Sequence, residues 1–116
     1  MRFYNTNKYL MTITIVLSLF GTSVFAKTHT VDQVDRSFKI KGNTVSAINI
    51  NVGDKIIFAN KDSVFHNIFS MSDISKFNFG AFGNGESKSI VFSKAGKSTV
   101  ECAIHPRMVL EVNVSK

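Results

Sequence analysis

Cysteine and histidine are scarce in this chain. The 116 residues contain one cysteine and three histidines. A single cysteine excludes an internal disulfide, so its thiol is left as an intermolecular partner, a reactive group or a metal ligand. The lysines are scattered and no arginine-rich run occurs, which argues against nucleic-acid binding. The formal net charge is +6, and +4 without Arg2 and Lys8 at the start of the chain; this mild basic excess favours acidic partners or anionic surfaces through long-range attraction.

The N-terminal residues have the pattern of an export signal. Arg2 and Lys8 supply a positive start, and the apolar stretch 10–20 has signal-peptide length but is short for a membrane span. Small residues precede a cleavage position after Ala26, so we expect residues 1–26 to be removed. An uncleaved membrane anchor is the alternative. The remaining residues 27–116 suffice for one small domain.

Short segments with period-two alternation follow the signal, separated by turn residues, and no helical stripe is convincing. This pattern predicts an all-β sandwich or barrel. We expect 87–92 and 97–102 to form a hairpin, and 71–86 to be an irregular excursion. Two further strands are indicated by alternating apolar residues, Phe38 with Ile40 and Ile48 with Ile50 and Val52. The remaining predicted strands are Lys55 to Asn60, Val64 to Ser70 and Val109 to Val114.

The alternation also predicts the direction of individual side chains. Cys102 shares a strand face with apolar Val100, so we expect the thiol to point inward. Met108 has the same parity as Leu110 on the last strand and should also point inward. The direction of His66 is left open, because both faces of its strand are apolar.

Cys102, His105 and Met108 are spaced C-x-x-H-x-x-M, which places a thiolate, an imidazole and a thioether in one short loop. A second imidazole would complete the trigonal His2Cys arrangement with a weak axial Met that suits copper. His66 is the candidate for that imidazole. His29 would be the third residue after cleavage, in an amine-X-X-His arrangement that can chelate Cu(II). We favour a strand residue without a metal role there.

Other site classes fit less well. Zinc gains little from a thioether, and a thiol hydrolase built on Cys102 and His105 would lack an orienting acid and an oxyanion donor set. Three histidines are too few for the oxygen-reducing cluster of a multicopper oxidase.

The chain from about residue 28 to residue 114 resembles the cupredoxins, the family of plastocyanin, amicyanin and pseudoazurin. The resemblance rests on the His66-Asn67 step together with the C-x-x-H-x-x-M loop, whose short spacing is similar to that of amicyanin. It implies a Greek-key β-sandwich that holds one type 1 copper ion. The ligands that it implies are His66, Cys102, His105 and Met108.

The same resemblance implies a function and its supporting contacts. It implies an exported, periplasmic, monomeric carrier of single electrons and not an enzyme. Protein donors and acceptors would dock on an apolar patch near His105, with no nucleic-acid partner and no stable membrane insertion after cleavage. Backbone N–H groups of Asn67 and Ile104 are expected to donate to the sulfur, and the Asn67 side chain to hold the ligand loop. The alternatives are a protein that delivers or senses Cu(I) on the same fold, and a structural protein without copper.

Overall fold

The computed structural model describes residues 14–15 and 25–116. The predicted signal segment 1–26 lies almost entirely outside the described residues. Within the described part, no helix has the length and apolar character needed to cross a membrane. The strands described there are β1 (Thr28–Val34), β2 (Ser37–Ile40), β3 (Asn43–Thr44), β4 (Ala47–Asn51), β5 (Lys55–Asn60), β6 (His66–Ser72), β7 (Ser75–Phe82), β8 (Ser87–Val91), β9 (Gly96–Glu101) and β10 (Val109–Ser115).

The strands form two five-stranded sheets. The first has the order β3-β2-β1-β5-β8 and the second the order β4-β10-β9-β6-β7. The pairs β1–β5 and β4–β10 are parallel, whereas the other ladders are antiparallel. Because consecutive strands repeatedly change sheet, the two layers are tied together by the chain itself. The predicted all-β sandwich is confirmed.

Alternating side chains of the two sheets fill one apolar core. The burial pattern of β5 alternates strictly, and its apolar Ile56 and Phe58 are fully buried. Such alternation puts every second side chain of a strand on the same face. The buried apolar residues are Val31, Phe38, Ile48, Ile50, Ile56, Phe58, Ile68, Phe82, Phe92, Val100, Cys102, Met108, Leu110, Val112 and Val114. The thiol and the thioether of the predicted site therefore belong to this core.

Two predictions about the strands are wrong. The excursion predicted over 71–86 contains the strand β7, which pairs with β6 at the edge of the second sheet. Phe77 and Phe79 alternate with polar Lys76 and Asn78, but most β7 residues are at least partly exposed, and the glycines of this segment indicate a loop. The hairpin predicted from 87–92 and 97–102 does not form, because β8 pairs with β5 and β9 pairs with β10. The turn 93–96 instead carries the chain from one sheet to the other.

Candidate metal centre

The ligand loop, residues 102–108, connects β9 to β10 and is closed by its own backbone. The Cys102 N–H donates to the Met108 carbonyl at 3.2 Å, and the Met108 N–H donates to the His105 carbonyl at 2.9 Å. These bonds bring the two ends of the loop together where the antiparallel ladder opens. Cys102 is 1 % exposed and Met108 2 % exposed, so the inward directions predicted for both side chains are confirmed.

His66 is the first residue of β6 and lies opposite this loop with a fully buried side chain. Its Nδ1 atom is 3.8 Å from the Cys102 sulfur, and the His105 Nδ1 atom is 3.7 Å from the same sulfur. The two Nδ1 atoms are 3.1 Å apart. The direction of His66, which the sequence left open, is therefore inward. Its Nδ1 atom meets the donor atoms of Cys102 and His105 in the ligand loop, and all three lie within 4.8 Å of one another.

These separations suit a single first-row metal ion. Nitrogen and sulfur donors bind such an ion at about 2.0–2.3 Å, so three donors arranged trigonally around it lie about 3.5–3.8 Å apart. The observed separations are close to that range. A thiolate with two imidazoles is also the soft donor set that copper prefers. The His66-Cys102-His105 cluster supports one copper ion.

The far side of the His66 ring is held by a carboxylate. His66 Nε2 lies 2.9 Å from Oδ2 of Asp62, and because an ionised carboxylate only accepts, Nε2 carries the hydrogen. In the neutral ring this leaves the Nδ1 lone pair free to face the thiol. The same Oδ2 accepts the backbone N–H of Arg36 at 2.9 Å. Although burial raises the pKa of Asp62, the hydrogen bonds from Arg36 and His66 bring it below its ordinary value.

The electrostatics at His105 favour a neutral ring. Burial of the imidazole lowers its pKa below the ordinary value, and electrostatic interactions with His66 and Arg36 lower it further, against a smaller opposing effect of Asp62. A neutral imidazole keeps a lone pair for a metal, whereas a protonated one has none.

Asn67 connects β6 to the ligand loop by two bonds. Its backbone N–H donates to the Cys102 sulfur at 3.4 Å, and its Oδ1 atom accepts the Ala103 N–H at 2.8 Å. Both contacts predicted for this residue are confirmed. The Asn67 amide is in turn oriented by Oδ1 of Asn78 at 3.0 Å. The hydrogen bonds of the described residues include none from the Ile104 N–H to the sulfur, so the structure does not support the second predicted donor.

His29 lies in β1, as predicted, away from the cluster. Its Nε2 atom is 2.9 Å from Oδ2 of Asp54, so the ring already has a carboxylate partner. The contacts of Asp62, Asp54 and Asn78 with these residues were not predicted from the sequence. Asp62 lies four residues before His66 in a polar loop, and nothing in the sequence there indicates that its carboxylate contacts the histidine.

No protein-family model and no curated protein sequence matches the chain. Solved structures do match its fold. A Cu(I) form of an amicyanin variant superposes with a TM-score of 0.66 at 19 % identity, covering 76 % of this chain and 82 % of that one. A purple cupredoxin from Nitrosopumilus maritimus gives a TM-score of 0.63 at 28 % identity, covering 75 % and 99 % of the two chains.

A copper-containing nitrite reductase from Thermus scotoductus gives a TM-score of 0.66 at 26 % identity. The match covers 77 % of this chain but only 22 % of the reductase chain, so the likeness is to a part of that protein. Together the fold and the cluster define a cupredoxin-like protein with a site that fits type 1 copper. In general terms they support an electron-transfer copper protein.

Proposed function

We propose that residues 27–116 form an exported carrier of single electrons and not an enzyme. We also propose that His66, Cys102, His105 and Met108 hold its copper ion. The convergence of the Cys102 sulfur with the two Nδ1 atoms, all within 4.8 Å, is the observation that carries the proposal. Bound copper would supply one-electron chemistry by cycling between Cu(II) and Cu(I).

Each proposed ligand has a distinct part. The Cys102 thiolate is the electron-rich donor, and the Asn67 N–H at its sulfur would withdraw some of its charge. The imidazoles of His66 and His105 are acceptable donors to both oxidation states. The thioether of Met108 would be a weak axial donor that tunes the potential. Its burial, next to the backbone bond between Met108 and Cys102 that closes the loop, supports that role.

The rigidity of the site supports electron transfer. His66 is fixed by Asp62 at one ring nitrogen, and the loop is fixed by Asn67 and by its own backbone bonds. Ligands held in place from outside the site change position little when the charge of the ion changes. Little reorganisation is then needed for each transfer, which suits a carrier.

Copper reconstitution tests this function. Residues 27–116 loaded with Cu(II) should bind one ion, show an intense visible thiolate-to-copper band and give reversible voltammetry. Cys102→Ser should abolish the band while the unfolding transition stays cooperative, and Met108→Leu should keep the band and shift the potential. A colourless protein that passes Cu(I) readily to a chelator would contradict the carrier and favour copper delivery or sensing.

The half-buried ring of His105 lies beside Ile104, which is 46 % exposed, and beside the exposed Pro106. We propose that this apolar surface, residues 104–106, receives the protein donor and acceptor, with the carrier acting as a monomer. Ile104→Asp should slow electron exchange with protein partners and leave the visible band unchanged. Slowing of the same size by the exposed Val91→Asp would argue against a docking role.

Export is a separate part of the proposal. Phe25, Ala26 and Lys27 are exposed in an irregular segment before β1, which would leave the predicted cleavage position accessible. The full chain expressed in a bacterium should yield a periplasmic protein that begins at Lys27. Retention in the membrane fraction would indicate an uncleaved anchor.

A further inference from the structure

Two arginines from distant parts of the sequence meet beside His105. Arg36 lies in the turn between β1 and β2, and Arg107 lies in the ligand loop. Both line one surface depression together with Ile104, His105 and Pro106. Both also line the neighbouring depression in front of Met108. The chain has one other arginine, Arg2, in the predicted signal, so both arginines of residues 27–116 are at the proposed docking surface.

Neither guanidinium group is neutralised within the described residues. The ion pairs formed there use lysines and histidines, and neither Arg36 nor Arg107 takes part in one. Both residues are exposed. The carboxylates that belong to or contact this turn already have side-chain partners, since Asp35 pairs with Lys39 and Asp62 pairs with His66. Two unpaired cations therefore flank an exposed apolar surface.

The position of Arg36 is maintained at a conformational cost. Asp35 and Arg36 both have φ of 53°, the left-handed region of the two-residue hairpin turn that Asn-Gly ordinarily fills. A residue with a side chain is disfavoured there by about 1 kcal/mol or more. The Arg36 N–H bond to Asp62 Oδ2 stabilises the turn. Since this bond uses the backbone, the Arg36 side chain is left free for a partner.

We propose that Arg36 and Arg107 bind carboxylates of an acidic redox protein that docks over His105. This inference rests on the proposed electron-carrier function and specifies its partner. A guanidinium presents a planar fork of donors that matches a carboxylate in two parallel bonds, which an ammonium cannot do. Arginines beside an apolar centre are frequent energetic anchors of interfaces. Charges at the rim of an interface also accelerate association with a partner of opposite sign.

Electron-transfer rates test the proposal. The reduced, copper-loaded protein is mixed with an oxidised acidic c-type cytochrome at low ionic strength, and with a basic mitochondrial cytochrome c as comparison. Arg36→Gln with Arg107→Gln should slow the reaction with the acidic cytochrome about tenfold or more, because steering changes association rates over orders of magnitude. The slowing should disappear at high salt, where exposed charges are screened.

The matched control removes two positive charges at the other end of the sandwich. Lys76 and Lys94 are exposed in β7 and in the turn 93–96, so Lys76→Gln with Lys94→Gln should slow the acidic cytochrome less than about twofold, as expected for net charge alone. Equal slowing by the arginine and lysine pairs would overturn the proposal. So would unchanged rates in the arginine pair, or arginine-dependent binding to phosphatidylglycerol vesicles without any effect on the cytochrome.

The visible band and the electron self-exchange rate distinguish a failure of the carrier function from a failure of the acidic-partner proposal. A wild-type protein without the band, or without reversible oxidation, contradicts the carrier function itself. An intact band and normal self-exchange, combined with arginine variants that react at wild-type rates, would contradict only the acidic partner.

Discussion

Oδ2 of Asp62 lies 2.9 Å from Nε2 of His66 and 2.9 Å from the backbone nitrogen of Arg36. One oxygen atom thus orients a candidate ligand and also holds the turn that presents a surface arginine. His66 starts β6 in the second sheet, whereas Arg36 belongs to a hairpin of the first sheet. Asp62 therefore fixes the geometry of the site across the two layers of the sandwich.

Removal of the Asp62 carboxylate should weaken copper binding. Asp62→Ala is expected to lower the Cu(I) affinity about 10–100-fold, because outer partners of ligating histidines contribute this much. The potential should rise, since the negative carboxylate hydrogen-bonded to the imidazole stabilises Cu(II). Chelator competition and voltammetry measure the two effects. In the metal-free protein, NMR should show that His66 loses its preference for the Nε2–H tautomer.

Asp73 offers the matched control for that change. It is an exposed acid in the turn between β6 and β7, so Asp73→Ala removes the same charge without touching His66. Asp62→Asn retains an acceptor oxygen and should lose less affinity than Asp62→Ala. If Asp62→Ala and Asp73→Ala bound copper equally well, the positioning role of Asp62 would be refuted.

The Asn67 side chain should order the ligand loop. Asn67→Ala removes the acceptor of the Ala103 N–H, which we expect to cost about 1 kcal/mol in the free energy of unfolding. Amide exchange at Ala103 in the metal-free protein should accelerate with it. Asn113→Ala, which breaks an exposed pair with Asn49, should change stability by less than about 0.5 kcal/mol. Unaltered exchange at Ala103 would contradict the role of Asn67.

Local alternation predicted the inward side chains of Cys102 and Met108 because each sits at the end of a strand with one apolar face. The side of His66 could not be predicted in this way, since both faces of its strand carry apolar residues. Phe65 is 63 % exposed whereas Ile68 is fully buried, a difference that depends on packing between sheets. Pairing between β8 and β5 also depends on tertiary contacts, since turn residues do not specify which sheet the next strand joins.

The acid sensitivity of the fold should depend on Asp54. The backbone N–H groups of Lys27 and Asn51, together with the ring of His29, lower its pKa from 3.8 to about 2. The native state therefore holds the ionised form more strongly than the unfolded chain does. This contribution to stability is complete above the ordinary pKa and is lost as the pH falls toward about 2.

Asp54→Asn tests this pH dependence. Near neutral pH it should cost about 1–3 kcal/mol, because an amide cannot accept all three donors. Urea unfolding across the acid range should show a smaller loss of stability in the variant than in the wild type. Asp73→Asn should retain the wild-type dependence. A wild-type slope in Asp54→Asn would mean that other carboxylates are responsible.

Gly96 begins β9, the strand that leads to Cys102, and has φ of 138°. A Cβ atom there would lie 2.8 Å from Cγ2 of Ile74, so Gly96→Ala combines backbone strain with a clash. Gly42 also has positive φ, at 82°, but has no atom within 4 Å of the added Cβ. Gly42→Ala therefore reports the strain of a positive φ without a clash, although the φ of residue 96 lies farther from the left-handed region that residues with a side chain can adopt.

We expect Gly96→Ala to destabilise the protein by about 1–3 kcal/mol more than Gly42→Ala, the usual cost of overpacking. Because the clash is with the side chain of Ile74, adding Ile74→Ala to Gly96→Ala should recover part of that difference in a double-mutant cycle measured by urea unfolding. Equal effects of the two glycine substitutions, or strictly additive effects of Gly96→Ala and Ile74→Ala, would show that the chain relaxes around residue 96. The close approach of Ile74 would then not be the reason that residue 96 is a glycine.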